Sequence, residues 1–228
     1  MIPLYVDNPR IRPPVVTLLL IAANVIVFIH ELSLGPHAER AFMMMYGMVP
    51  SHVGYALQSG AGLGLALQPL FTSMFVHSGW LHIIGNMWFL WIFGGNTEDA
   101  FGHFGYLIFY LVCGITGGIA HTVMNWGSGL PAVGASGAIA GVMGAYIVLY
   151  PRTRILTLVP LFVFFFTVRL PAIVVIGIWF LIQFLSGVGS LGVPVSGGVA
   201  FWAHIGGFAL GALVGLVAKP SVIRTSGY

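Results

Sequence analysis

Residues 133–146 read VGASGAIAGVMGAY, a glycine-rich apolar run that carries a single hydroxyl, Ser136. The rest of the chain has a similar character, because 58% of its 228 residues are hydrophobic and only 6% are charged. Soluble domains carry about 25% charged residues, so this composition predicts an integral membrane protein. A polar side chain is costly in lipid, but a serine alone in such a run is more often a small packing residue, so a role for Ser136 depends on which polar residues lie near it.

Six segments are expected to be membrane-spanning helices, since a hydrocarbon core about 30 Å thick requires about 20 mostly apolar residues. They are residues 14–29, 81–93, 104–123, 136–150, 171–185 and 199–218. The sequence therefore predicts an all-α integral membrane protein. Its membrane domain covers residues 14–218, between short tails at 1–13 and 219–228.

Two further apolar stretches do not fit a complete span. Residues 155–168, ILTLVPLFVFFFTV, would reach only about 21 Å as a helix, and Pro160 interrupts them. We interpret this stretch as an interfacial or re-entrant connector. Residues 32–76 also lack a clean span, and we expect them to lie partly in the outer leaflet.

The basic residues predict the orientation of the chain. With six spans both termini share one side of the membrane, and only Arg40 falls on the other side. The positive-inside rule then places both termini in the cytoplasm, and we expect a protein of the cell membrane. The first apolar run lacks a small-residue cleavage site and is interpreted as a signal anchor. The basic residues on the side of the termini are Arg10, Arg12, Arg152, Arg154, Arg169, Lys219 and Arg224.

Four polar residues are expected to meet at one depth. His82, Ser136 and His204 precede the charged residue at the inner end of their spans by 16, 16 and 15 residues. All three then lie about 22 to 24 Å above the inner boundary. Asn86 lies one turn deeper than His82, on the same helix face.

Small residues are expected to bring two of these helices together. The segment AHIGGFALGALVG, residues 203–215, places glycines on the helix face that carries His204, and GASGAIAG, residues 134–141, does the same beside Ser136. Small residues on facing helices allow a close backbone approach in lipid. We therefore expect Ser136 to reach His204.

This pairing indicates nucleophilic chemistry, because a serine hydroxyl needs a base that accepts its proton. We assign Ser136 as the nucleophile and His204 as the general base. Every carboxylate of the chain lies at a span end or in a loop, so the sequence favours a dyad over a triad. His82, Asn86 and the backbone N–H of Ser136 are candidate donors to the developing oxyanion.

Other chemistries find less support in the sequence. His30-Glu31 does not begin an HExxH motif, and no aspartate lies in a predicted span, so we expect neither a metal site nor a cofactor. The GASG run also differs from the GxSxG elbow, because Ala138 occupies the position of its last glycine. Eight Lys and Arg residues against five Asp and Glu are too few for a nucleic-acid surface.

Three segments together resemble the signature segments of rhomboid intramembrane serine proteases, in that family's order. They are HSGWLHIIGNMWFLWIFGG (77–95), GASGAIAG (134–141) and AHIGGFALG (203–211), with YGMVP (46–50) also typical of the first loop. The resemblance implies a six-helix rhomboid-like fold and cleavage of peptide bonds in or near transmembrane segments of membrane-protein substrates. It also implies Ser136 as nucleophile, His204 as base, and His82 with Asn86 as the oxyanion-stabilising pair.

The chain departs from the family's pattern at two places. Some members carry a Trp-Arg pair in the first loop, whereas Glu39 precedes Arg40 here. Some also place an aromatic residue four positions after the nucleophile, against the histidine, where this chain has Ala140. The role of the first loop and the packing around His204 therefore do not follow from the resemblance.

Two alternatives to a protease stay open at this point. A non-proteolytic relative that binds or escorts membrane helices usually lacks the serine or the histidine, and this chain has both. A transporter usually shows repeated halves and charged residues within its spans, and neither is evident here.

Overall fold

The computed structural model describes residues 1–60, 63–161, 163–191 and 199–226. In the described residues the chain forms mostly helices, joined by a small antiparallel sheet. The helices are α1 (Val15–Ser33), α2 (Pro36–Tyr46), α3 (Pro50–Gln58), α4 (Leu63–Thr72), α5 (Trp80–Phe101), α6 (His103–Met124), α7 (Ser136–Leu149), α8 (Ala172–Gly189) and α9 (Phe201–Ser226). The strands are β1 (Ile2–Val6), β2 (Arg154–Leu161) and β3 (Phe164–Pro171).

Each of the six predicted spans contains a helix, but not every helix has the properties of a full span. Within the described residues, four are long and apolar enough to cross a membrane: α1, α6, α8 and the Phe201–Ala218 part of α9. α7 is apolar but has only 14 residues, and α5 carries several polar residues. The structure thus establishes a multi-helix membrane protein with four candidate spans.

The prediction of an all-α fold is wrong for two segments. The stretch interpreted as a connector forms β2 and β3, which pair with antiparallel register from Arg154↔Pro171 to Leu161↔Phe164. Residues 2–6, predicted as part of a tail, form β1 and pair with β2 from Ile2↔Leu158 to Val6↔Ile155. Pro160 disfavours a helix here, and the aromatic and β-branched residues around it favour extended backbone.

The predicted outer-leaflet stretch, residues 32–76, folds as short helices rather than a span. α2 and α3 each begin with a proline, which fits the first helical position because its missing N–H would have no partner there. Buried apolar side chains of α3, of α4 and of the residues just before α3 form a separate small core of Met48, Val53, Ala56, Ala66 and Leu70.

The start of α1 is tied to the end of α5. No side chain of α1's own N-cap satisfies its first N–H groups. Instead the buried carboxylate of Glu98 accepts the N–H groups of Val16 and Thr17 at 2.8 Å each, and the Thr17 hydroxyl at 2.7 Å. A negative charge at a helix N-terminus is also favoured by the helix dipole. Glu98 therefore has a structural role at the end of α5 that is opposite the candidate site.

α7 occupies the centre of the helical core. Most of its residues are buried, because α5, α6, α8 and α9 all contact it. A helix that is buried on nearly every side needs small residues, and α7 supplies Gly137, Ala138, Ala140, Gly141, Gly144 and Ala145.

The predicted positive-inside pattern is only partly visible in the structure. α9 continues to Ser226, through most of the segment that was predicted as a C-terminal tail. The side chains of Lys219 and Arg224 lie outside the described residues, and so do residues 227 and 228.

Candidate active site

Ser136 lies at the first turn of α7, and Gly134 shapes the approach to it. Gly134 has φ +117°, a conformation that favours glycine. Its N–H donates to the Ser73 carbonyl at 2.8 Å, which fixes the loop before the helix. A methyl group on Gly134 would lie 2.6 Å from Nε2 of His82 and 3.3 Å from Nδ2 of Asn86. The absent side chain thus allows the polar residues of α5 to reach the start of α7.

Glycines bring α9 against α7, as the sequence predicts. A methyl group on Gly207 would overlap the carbonyl oxygen of Gly137, and one on Gly211 would overlap that of Gly141. The two backbones are therefore closer than any other residue would allow. This contact sets the distance between Ser136 on α7 and His204 on α9.

Ser136 and His204 are in direct contact. The Ser136 Oγ lies 2.7 Å from Nε2 of His204, and the histidine is only 6% exposed. This distance is that of a good hydrogen bond, in which the hydroxyl donates to an unprotonated ring nitrogen. The predicted pairing is present in the structure, and the catalytic roles assigned to the two residues stay predictions.

Two residues of α8 complete the surroundings of His204. The Oε1 atom of Gln183 accepts a hydrogen bond from Nδ1 of His204 at 2.7 Å. The Trp179 ring lies one turn earlier, with its centroid 5.7 Å from that of His204 and the planes inclined by 34°. Neither residue was predicted from the sequence. The signal was a glutamine inside an apolar span, on the same helix face as a tryptophan four residues before it.

His82 and Asn86 are held on α5 by neighbouring side chains. Nδ1 of His82 lies 3.0 Å from the Ser78 hydroxyl, which leaves Nε2 directed at the Gly134 backbone. Asn86 donates from Nδ2 to Nε2 of His77 at 3.0 Å. Both predicted residues therefore lie beside the start of α7, with their ring or amide nitrogens near Gly134.

His77 is a further residue that the sequence analysis did not single out, although it begins the quoted motif HSGWLH. It precedes α5 and is 2% exposed. Its Nδ1 donates to the Phe75 carbonyl at 3.3 Å, and its backbone N–H reaches the Glu31 carboxylate at 3.2 and 3.3 Å. Burial and the charge of nearby His82 lower the pKa of His77 to about 4. The ring is therefore neutral at physiological pH, which leaves Nε2 free to accept the Asn86 amide.

All four predicted residues line one cavity of about 670 Å³. The cavity is partly open, and its lining includes the apolar side chains of Leu81, Phe89, Met143 and Trp179. An apolar recess with a few convergent polar groups is typical of a site that binds and transforms a ligand. In the described residues no three His, Cys, Asp or Glu side chains are placed to hold a metal ion.

The arrangement is suited to acyl transfer. His204 can accept the Ser136 proton, since Gln183 holds the ring proton on the far nitrogen. The Ser136 N–H lies in the first turn of α7, where it has no partner within the helix, and His82 and Asn86 carry further donors nearby. A base for the nucleophile and donors to the oxyanion are the groups that stabilise a tetrahedral intermediate of acyl transfer.

Comparison with known proteins gives a consistent match. The profile of the Rhomboid domain family matches residues 65–221, a segment that contains all four predicted site residues. RHOMBOID-like protein 1 of Arabidopsis thaliana is 31% identical over 148 residues, which are 65% of this chain and 33% of that protein. Rhomboid protease GluP of Bacillus subtilis is 40% identical over 89 residues, 38% of this chain and 17% of that protein.

A human relative extends the comparison. Presenilin-associated rhomboid-like protein, mitochondrial, from Homo sapiens is 28% identical over 148 residues, 64% of this chain and 36% of that protein. The matched segments thus span between 17% and 36% of the length of these three relatives.

Proposed function

This chain belongs to the rhomboid family, and we propose that it is an intramembrane serine endopeptidase acting through a Ser136–His204 dyad. The observation that carries the proposal is the 2.7 Å contact between Ser136 Oγ and His204 Nε2 inside the cavity. If Ser136 served only for helix packing, it would not require a buried imidazole within hydrogen-bond distance of its hydroxyl.

The proposed reaction begins with transfer of the Ser136 proton to Nε2 of His204 as Oγ attacks a substrate carbonyl carbon. The carbonyl oxygen gains negative charge and accepts hydrogen bonds from the Ser136 N–H, His82 and Asn86. His204 then returns the proton to the leaving amine, and an ester of Ser136 remains. A water molecule, deprotonated by His204, hydrolyses this ester and restores the serine.

The proposed substrates are membrane proteins whose transmembrane helices enter the cavity. A helix hides its carbonyl groups in hydrogen bonds, so the segment must unwind before Ser136 can attack. The cavity has the apolar lining that such a segment would contact and the polar groups that an unwound backbone would need.

The proposed topology has six spans, in which α5 and α7 join the four candidate spans. Both termini then lie in the cytoplasm, and the site lies below the outer face. We assign the protein to the cell membrane from the positive-inside pattern, although several relatives carry mitochondrial or chloroplastic names. The proposed membrane domain covers residues 14–218, between cytoplasmic tails.

The test is cleavage of a reporter transmembrane protein in proteoliposomes. The Ser136→Ala variant is expected to lose cleavage entirely, whereas Ser59→Ala, at an exposed helix end, is expected to retain it. Undiminished cleavage by folded Ser136→Ala protein would overturn the proposal. Binding of the reporter by folded wild-type protein without any cleavage would instead support a non-proteolytic escort of membrane helices.

A further inference from the structure

Gln183 is unusual for its surroundings. It lies in α8, whose sequence AIVVIGIWFLIQFLSGVG is apolar on nearly every side. A polar amide in such a helix is costly unless it finds a partner. Its partner is Nδ1 of His204, at 2.7 Å from Oε1. The contact joins two helices at the nitrogen of His204 that does not face Ser136.

The orientation of the Gln183 amide favours one tautomer of the His204 ring. With Oε1 of Gln183 facing the ring at 2.7 Å, the hydrogen bond forms when Nδ1 of His204 carries the proton, because an amide oxygen accepts and does not donate. In the neutral ring Nε2 then has a free lone pair, and this is the nitrogen that faces the Ser136 hydroxyl. The other tautomer would place a proton at Nε2 and could not accept one from Ser136.

In the part of the chain that the structure describes, no carboxylate bonds to Nδ1 of His204. Glu31 accepts the backbone N–H of His77, and Glu98 caps α1 at the far end of α5. In serine proteases with a triad, a buried aspartate holds the histidine in the correct tautomer. Gln183 occupies the equivalent place next to Nδ1, as a neutral group that suits an apolar helix better than a charge does.

We infer that Gln183 is a positioning residue that acts through His204 and holds it in the tautomer and orientation needed to accept the Ser136 proton. This inference rests on the proposed protease function, and it adds a third member to the dyad. It also explains how a catalytic histidine is oriented in a span without any ionised partner.

The test compares Gln183→Met, which keeps the length of the side chain and removes the amide, with Gln58→Met at the exposed end of α3 as a control. Reporter cleavage by Gln183→Met is expected to fall about 10- to 100-fold in kcat, with KM changed by less than about twofold. Gln183→Glu, which restores an acceptor, is expected to recover much of the loss. Gln183→Ala serves as a second replacement if Gln183→Met does not fold.

A readout that needs no activity separates this inference from the proposed function. Protein labelled with ¹⁵N-histidine reports the tautomer of His204 by NMR, with the resonance assigned from the His204→Gln variant. The wild type is expected to show a proton fixed at Nδ1, and folded Gln183→Met a mixture of tautomers.

Unchanged kcat or an unchanged tautomer in folded Gln183→Met would overturn the inference. Failure of the proposed function alone would give a different result. Cleavage would then not depend on Ser136, whereas the tautomer of His204 would still depend on Gln183.

Discussion

At the scale of single residues, the surroundings of His204 differ from the pattern that the sequence motif suggests. Ala140 lies where some rhomboids place an aromatic residue against the histidine, and it is fully buried. The aromatic contact comes instead from Trp179 on α8, 5.7 Å from the His204 ring. The small side chain at position 140 fits the closely packed α7, and a neighbouring helix supplies the ring.

The motif residues were predictable from sequence, and their supports were not. Ser136, His204, His82 and Asn86 stand out as polar groups at one depth in apolar spans. Gln183 becomes meaningful only when the rotation of α8 about its axis is known, because its contact lies 21 residues away in sequence on α9.

Asn86 provides a first residue-scale prediction. Asn86→Ala is expected to lower kcat for reporter cleavage about 100-fold with little change in KM, because an oxyanion donor acts mainly in the transition state. Steady-state kinetics in proteoliposomes measure this split. Asn125→Ala, beyond the end of α6, is the control and is expected to keep the wild-type kcat. An equal kcat for both variants would remove Asn86 from the proposed oxyanion site.

His77 provides a second prediction, which concerns stability. Its pKa falls from 6.5 to about 4 in the folded protein because of burial, so the unfolded chain binds more protons between these pH values. The free energy of unfolding should therefore decrease as pH falls from about 6.5 to 4, by up to about 3 kcal/mol from this group. Unfolding of detergent-solubilised protein across this range measures the effect.

The control variants isolate the contribution of His77. His77→Gln is expected to show a shallower loss of stability on acidification than the wild type, and His37→Gln, at an exposed position, the same loss as the wild type. Parallel curves for all three proteins would show that His77 is not the buried neutral group described here.

At the scale of elements, the close contact of α7 and α9 determines the geometry of the site. Gly211 lies two turns beyond His204, and a methyl group there would overlap the Gly141 carbonyl. The methyl group would collide with backbone atoms, so no side-chain rotation can relieve the overlap. The two helices must therefore move apart.

Gly211→Ala tests this contact. The variant is expected to lose about 1 to 3 kcal/mol of stability and most of its activity, because the helices separate and Ser136 moves away from His204. Gly177→Ala in α8 is a matched control, since nothing lies within 4 Å of its added methyl group. Unfolding and cleavage assays on both variants measure the effect, and equal behaviour of the two would contradict the close contact.

At the scale of elements, the sheet is the feature that could not be predicted from the sequence. Residues 155–168 are as apolar as a membrane span, so hydropathy does not indicate a strand there. β1, which pairs with β2, lies far away in sequence and has only five residues. Periodicity in so short a segment carries little information, and antiparallel pairing over about 150 residues of intervening chain depends on the assembled helices.

At the scale of the whole molecule, hydropathy predicted a helix in each of six segments, and glycines with counted depth predicted that three of them meet. The short helices α2, α3 and α4 did not follow from hydropathy. α5, α7 and α9 converge at one cavity, and α8 contributes Trp179 to its lining. The burial of α7 among other helices explains why its 14 residues need not resemble a lipid-facing span.

The most direct measurement of the central claim is reaction of the protein in proteoliposomes with a fluorophosphonate, followed by peptide mass spectrometry. A serine activated by a neighbouring histidine is expected to form an adduct, and only activated serines react readily. We expect one adduct, on Ser136, that is lost in folded His204→Ala protein. An unmodified Ser136 in folded wild type, or equal modification without His204, would contradict it.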